Sequence, residues 1–173
     1  MNNFESLCNT RRSIRNISNK EIAEYDLQKI LEVINTAPSA GNLQGYEVIV
    51  VKNEEVKKQI CAASYNQSFV YDAPVVLVFI ALPKVSGSKY NARGENLYSI
   101  QDATIACTYA MLASESLGLA TTWVGAFSEE DVIKSLKLTR YEVPVSILSI
   151  GYKLKDNPIP RRRKDLAEII RFI

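Results

Sequence analysis

Hydrophobic positions along this chain switch repeatedly between helical and strand-like spacing, and the switches predict an alternating α and β order. Asn2 or Asn3 can cap a short first helix ending near Asn9, after which RRSIR leads out in an irregular or extended segment. Leu27, Ile30, Leu31, Val33 and Ile34 recur at helical intervals between Asp26 and Thr36, and Pro38 stops that helix. Tyr46 to Val51 (YEVIVV) is β-branched and aromatic and predicts a strand; Asn53 then caps a helix over Glu54 to Ala63. The run PVVLVFIAL from Pro74 to Leu82 predicts a fully buried central strand. Pro83 to Glu95, rich in Gly, Ser, Lys and Asn, predicts an exposed loop. From Asn96 to Leu117 a long helix carries apolar residues on nearly every side, closed by Gly118. Thr121 to Ala126 is a third strand, Ser128 caps a helix to about Leu136, and Val143 to Tyr152 is a fourth strand. The tail holds two prolines, RRRKD and then DLAEIIRFI.

An all-apolar helix is hard to bury completely within 173 residues, and its small side chains let a second copy approach closely, so a homodimer is expected. Length and a 47% hydrophobic content fit one domain over residues 1–173. The longest apolar run is too short to span a bilayer, and the basic N-terminal stretch lacks the apolar core of a secretion signal; a cytoplasmic protein is expected.

Histidine is absent, which excludes Ser/His/Asp and Cys/His triads and the HExxH zinc motif. Cys8, Cys61 and Cys107 are odd in number and lack CxxC pairing, so no disulfide framework or metal site is expected and the three read as buried free thiols. Any chemistry must be carried by something other than histidine, and a bound cofactor would fit that requirement.

Six of the nine arginines form two clusters, Arg11, Arg12 and Arg15 in RRSIR and Arg161, Arg162 and Arg163 in RRRKD, in a chain of net charge only +2. Such clusters suit a compact anion such as phosphate, because forked charged donors bind its oxygens strongly. In an extended segment Arg11, Ser13 and Arg15 share one side, leaving Arg12 to point elsewhere or reach round. PSAGNLQ, from Pro38 to Gln44, offers polar side chains and the free backbone of Gly41; TTWVGAF places Gly125 and Ala126 just past a strand, where a flat ligand could meet bare backbone. The carboxylate pairs Glu54/Glu55 and Glu129/Glu130 fall at helix starts and complement the helix dipole. RRRKD could instead meet nucleic acid, but the near-neutral charge and the absence of a binding signature argue against that partner.

RRSIR, APSAGNLQ, TTWVGAF and RRRKDL, in that order, resemble the FMN-dependent nitroreductase family. The resemblance implies an α+β fold, a central mostly antiparallel sheet flanked by helices, in an intertwined homodimer with FMN bound between subunits. It implies that Arg11, Ser13 and Arg15, with Arg12 adjacent, and Arg161 and Arg163 hold the phosphate. Ser39, Ala40 and Asn42 would reach the flavin from the partner, with Gln44 supporting their loop. Trp123, Gly125 and Ala126 would pass near the ring, and Gln67, or else Asn66, would address its pyrimidine edge. The chain departs from the family at Gly45 and Tyr46, where many members carry ProTrp, and at Phe69, roughly where some relatives carry a lysine. The tail is implied to extend across the partner.

The implied activity is ping-pong transfer of hydride from NADH or NADPH through flavin N5 to a nitro compound, quinone or similar small acceptor. No protein side chain is assigned a catalytic role. A non-enzymatic FMN-binding protein that stores flavin or senses redox state is the alternative, and it would hold flavin without turning over an acceptor.

Overall fold

The computed structural model describes residues 4–154 and 162–173, so the expectations for Asn2, Asn3 and Arg161 lie outside the described residues. A five-stranded sheet forms the centre: β1 (Ile17–Ser18), β2 (Tyr46–Val51), β3 (Val75–Ala81), β4 (Ala120–Val124) and β5 (Val143–Lys153). The long β5 pairs with β3 on one side and with β4 and the short β1 on the other, while β2 closes the sheet beyond β3, every ladder antiparallel. One isolated parallel bridge, Ser13 to Thr121, extends the sheet past β4.

Every residue of β3 is buried, as its unbroken apolar run requires for a strand covered on both faces. Its alternate side chains enter two cores. Leu77, Phe79 and Ala81 pack with Leu148 and Ile150 beneath α2 (Glu24–Asn35) and α6 (Ser99–Ser116). Val76, Val78 and Ile80 pack with Ile147 on the other face, with side chains from α3 (Glu54–Ala63), α4 (Ser68–Asp72) and α7 (Glu129–Leu136). These elements form an α/β/α sandwich; α1 (Phe4–Thr10) and α5 (Pro83–Arg93) lie against α6, and α8 (Leu166–Ile169) follows in the exposed tail.

Capping residues mark the helix starts that the sequence suggests. The Asn53 side chain accepts a hydrogen bond from the Val56 N–H at 3.1 Å, and the Ser128 hydroxyl accepts from Asp131 N–H at 3.3 Å. At the end of α6, Gly118 takes φ +73° and the Leu119 N–H returns to the Ser114 carbonyl at 2.9 Å, a left-handed helix stop that favours glycine.

One expectation changes. The stretch from Pro83 to Glu95 is not a loop: Pro83 opens α5, which breaks at Asn91 (φ 50°) and runs into a single π-helical turn over Gly94–Tyr98 before α6. Its Gly, Ser and Asn content is a poor helix former, and tertiary contacts override it: Ser86 is fully buried, and a Cβ on Gly94 would lie 2.3 Å from the Ser86 carbonyl oxygen. The long helix α6, expected to be hard to bury within one chain, is indeed not covered all round by it. Ala103, Ala106, Cys107 and Ala110 face the core, whereas Ile100 is 40% exposed and Thr104, Thr108 and Leu112 are only half-buried.

The thiols also divide. Cys107 is buried, and burial pushes its thiol up to about 12; Cys61 is half-buried, burial raising its thiol too; Cys8 is exposed, contrary to expectation, because α1 buries none of its residues. At neutral pH a thiol reagent is expected to label native Cys8 readily and Cys107 only after denaturation, because the thiolate is the reactive form. Peptide mapping checks this, and native labelling of Cys107 would show that its packing is open.

Candidate functional site

The first constellation forms at the outer edge of β4. Ile14 donates its N–H to the Thr121 carbonyl at 2.9 Å, and the Thr122 hydroxyl donates to the Ile14 carbonyl at 2.5 Å. Buried Ile14 thus pins RRSIR to the sheet while Ser13 and Arg15, its neighbours, stay exposed. The Arg15 guanidinium lies 5.8 Å from the centre of the Phe69 ring. Arg11 is half-buried, and among the described residues no ion pair involves an arginine. Arg12 is differently employed: its Nη1 donates to the Asn9 carbonyl at 2.6 Å and the Arg11 carbonyl at 2.8 Å, closing the C-terminal end of α1.

Gln67 stands close by. Its Nε2 donates to the Ser64 carbonyl at 3.0 Å and to the Ala126 carbonyl at 3.5 Å, tying the end of α3 to the segment beyond β4. Asn66, the alternative candidate, is exposed with φ 58° and makes no side-chain hydrogen bond among the described residues. Gly125 and Ala126 are exposed, and a Cβ on Gly125 would meet nothing nearer than Trp123 Nε1 at 3.5 Å, so this backbone is open to a ligand. Trp123 is half-buried and packs toward the α2/α6 core.

The second constellation is the PSAGNLQ loop, folded into a 3-10 turn over Ala40–Asn42. Gly41, Asn42 and Gln44 all take positive φ, of 58°, 56° and 48°. For a side chain such as Gln44 this region is costly and persists only where neighbours hold it. They do: the Gln44 N–H donates to the Ser39 hydroxyl at 2.9 Å, and Gln44 Nε2 donates to Asn35 Oδ1 at 3.1 Å. Gln44 therefore supports the loop, as the resemblance implies, while Asn42 is exposed at its tip.

Asp102 anchors this loop and escaped the sequence reading. Only 2% exposed on α6, its Oδ1 accepts the Ala40 N–H at 2.9 Å and its Oδ2 accepts the buried Ser86 hydroxyl at 3.5 Å. The available signal was one carboxylate inside an otherwise apolar helical run, where an unpaired charge is too costly to keep. Gly45 is explained by the same contact, since a Cβ there would fall 2.0 Å from Ser86 Oγ and 3.1 Å from Asp102 Oδ2. Tyr46, beside it, donates its hydroxyl to the Ile34 carbonyl at 3.0 Å, and burial, reinforced by the Asp102 charge, pushes its phenol up. A cleft of about 460 Å³ opens beside the loop, lined by Ser39, Ala40, Tyr98, Gln101 and Ile105 among others.

Within one chain these constellations stay apart. PSAGNLQ leads into β2, while Gly125 and Ala126 leave β4, and β3 and β5 intervene. Three strand spacings make that about 14 Å across the sheet. The loop also rests on α6, on one face of the sheet, and Gln67 precedes α4, whose Phe69 and Val70 pack on the other. Arg163 is exposed and no hydrogen bond or ion pair joins it to RRSIR among the described residues; Arg161 lies outside them.

A helix-flanked antiparallel sheet with an arginine-bearing strand edge and a strained polar loop defines the class of fold. The particular family follows from similarity to known proteins. The family model described as "Nitroreductase family" matches residues 9–67 and 59–152, and the chain belongs to that family. An FMN reductase, NAD(P)H, of Bacillus subtilis is 34% identical over 165 residues, covering 88% of this chain and 66% of that protein. An NADH dehydrogenase of Thermus thermophilus is 27% identical over 187 residues, covering 92% of this chain and 91% of that protein. Among solved structures, a nitroreductase family protein (cd3355) from Clostridium difficile 630 superposes with a TM-score of 0.87 at 29% identity, covering 99% of this chain and 98% of that one.

Proposed function

We propose that this protein is an FMN-dependent oxidoreductase that uses NADH or NADPH to reduce small acceptors such as nitro compounds and quinones, and that it works as a homodimer. The observation that carries the reading is the open backbone at Gly125 and Ala126, set beside the amide of Gln67 and an arginine-bearing edge whose guanidinium groups have no carboxylate partners among the described residues.

This donor set fits a flavin mononucleotide. Arg11, Ser13 and Arg15 would take the phosphate, charged forks and a hydroxyl matching its oxygens. Gly125 and Ala126 would admit the flat ring, Trp123 would border it, and the Gln67 amide would meet its polar edge. Bound there, FMN supplies the hydride-accepting and electron-donating chemistry, and the protein supplies placement, field and exclusion of water. No histidine is needed.

A second copy completes the site. The PSAGNLQ loop lies too far from Gly125 in its own chain, on the opposite side of the sheet, so Ser39, Ala40 and Asn42 would reach the flavin of the partner. The outward stripe of α6 at Ile100, Thr104, Thr108 and Leu112 gives such a copy a surface to cover. So does the tail, where Leu166, Ile169 and Phe172 are 70%, 65% and 93% exposed. In keeping with the family match, no helix among the described residues is long and apolar enough to cross a membrane. We place the enzyme in the cytoplasm.

The test is direct. Purified protein is expected to be yellow, to bleach anaerobically on addition of NADH or NADPH, and to recover its colour when an acceptor such as menadione is added. Colourless protein that also fails to take up added FMN would remove the reading. Bleaching without recovery across nitro and quinone acceptors would leave flavin storage or redox sensing as the role.

A further inference from the structure

We infer that Lys89 and Arg93, set on tyrosine rings at the mouth of the cleft beside PSAGNLQ, select substrates that carry a phosphate or carboxylate group next to a planar ring. The inference rests on the proposed oxidoreductase reading and names the substrate class of that site.

The arm is built rather than incidental. Tyr98 lines the cleft together with Ser39 and Ala40. Tyr90 meets Tyr98 edge to face, with ring centres 5.2 Å apart, and the Arg93 guanidinium lies 5.4 Å from the Tyr98 ring centre while its Nε donates to the Tyr98 hydroxyl at 3.0 Å. Lys89 lies 5.4 Å from the Tyr90 ring centre. Both Lys89 and Tyr90 lean over the strained loop, since a Cβ on Gly41 would fall 2.9 Å from Lys89 Nζ and 2.5 Å from the Tyr90 hydroxyl. Lys89 thus stands above the segment proposed to reach the flavin, and Arg93 is held on Tyr98 in the cleft wall.

Neither cation is neutralised among the described residues, although the neighbouring Lys84 pairs with Glu95 at 2.8 Å. Stacking on a ring fixes a cation without consuming its hydrogen-bond donors. The same tyrosines offer flat apolar faces. An aromatic or nicotinamide-bearing molecule with an anionic substituent matches both features at once, whereas a neutral quinone uses only the rings. The Asn91 break at φ 50° and the following π-helical turn give this arm its shape, the kind of irregularity found where helices serve binding.

Two sources supply such an anion: the 2′-phosphate that distinguishes NADPH from NADH, and a carboxylate on the acceptor. The experiment compares wild type with the Lys89→Gln/Arg93→Gln double variant in four assays, NADPH against NADH with a fixed neutral quinone, and 4-nitrobenzoate against nitrobenzene with a fixed donor. Calorimetry with adenosine 2′,5′-bisphosphate against AMP, and with 4-nitrobenzoate against nitrobenzene, gives a readout independent of turnover. In the variant the kcat/KM ratio of anionic to neutral substrate is expected to fall about tenfold in one pair, mainly through KM, with calorimetric affinity for the matching anionic probe falling in step. The pair that moves identifies the source. Unchanged ratios in both pairs, or equal losses for anionic and neutral ligands, would overturn the selectivity role. If the wild type binds no FMN, the oxidoreductase reading fails by itself, and the calorimetric contrast still decides whether the arm recognises anions.

Discussion

Protein carrying Arg11→Glu and Arg15→Glu together is expected to purify folded but colourless, its affinity for FMN reduced at least about 100-fold. Each charge-assisted contact to a phosphate is worth roughly 1.5 to 3 kcal/mol, so losing two and adding repulsion exceeds the 2.7 kcal/mol or so that corresponds to a hundredfold change. Folding is expected to survive because the RRSIR segment is pinned by Ile14, through its backbone bonds with Thr121 and Thr122 and its buried side chain, while Arg15 projects outward. Arg12→Glu supplies the contrast. Its guanidinium is engaged with the carbonyls of Asn9 and Arg11, so that change is expected to loosen α1 and cost about 1 kcal/mol in stability with a smaller effect on flavin. Fluorescence titration of FMN and circular dichroism separate the two outcomes. Full flavin retention in the double variant would place the phosphate elsewhere.

Much of the fold was legible because its strongest signals are local. β2 over Tyr46–Val51, α3 over Glu54–Ala63 and the buried β3 needed only β-branched runs and one capping asparagine. What escaped depends on distant partners. β1 has two residues, too few for any periodicity, and is held by Tyr152 and Lys153 of β5. α4 has five residues, Ser68–Asp72, of which Phe69 and Val70 are buried in the core beside α3. α5 reads as a loop by composition and becomes helical because Ser86 is buried and Gly94 lets the following turn approach it.

The candidate site divides in the same way. The residue types of RRSIR, PSAGNLQ and TTWVGAF were readable, but their separation across β3 and β5 was not, since only the strand order reveals it. That separation strengthens the case for a second copy: a loop constrained at three positive-φ positions is an odd investment unless something beyond its own chain uses the resulting shape. Buried Asp102 belongs to the same logic, a charge kept inside an apolar helix because it fixes that loop.

Asp102→Ala is accordingly expected to be the most damaging single substitution in the loop's support. Removing the carboxylate strands the half-buried Ala40 N–H and the fully buried Ser86 hydroxyl; a buried group left without a partner costs about 1 to 3 kcal/mol and a half-buried one about 1 kcal/mol, so a loss of about 2 to 4 kcal/mol is expected. In a chain of this size that corresponds to a melting temperature lower by roughly 5 to 15 °C. Asp102→Asn keeps one oxygen for the Ala40 N–H and is expected to recover part of the loss. Ser86→Ala, costly in the wild type, is expected to cost much less once Asp102 is alanine, because the two share one interaction. Denaturant unfolding of the four proteins in this cycle measures the coupling directly. If the two changes simply add, Asp102 is not what holds Ser86, and its support of the loop runs only through the bond from the Ala40 N–H, beside the Ser39, Asn35 and Gln44 bonds.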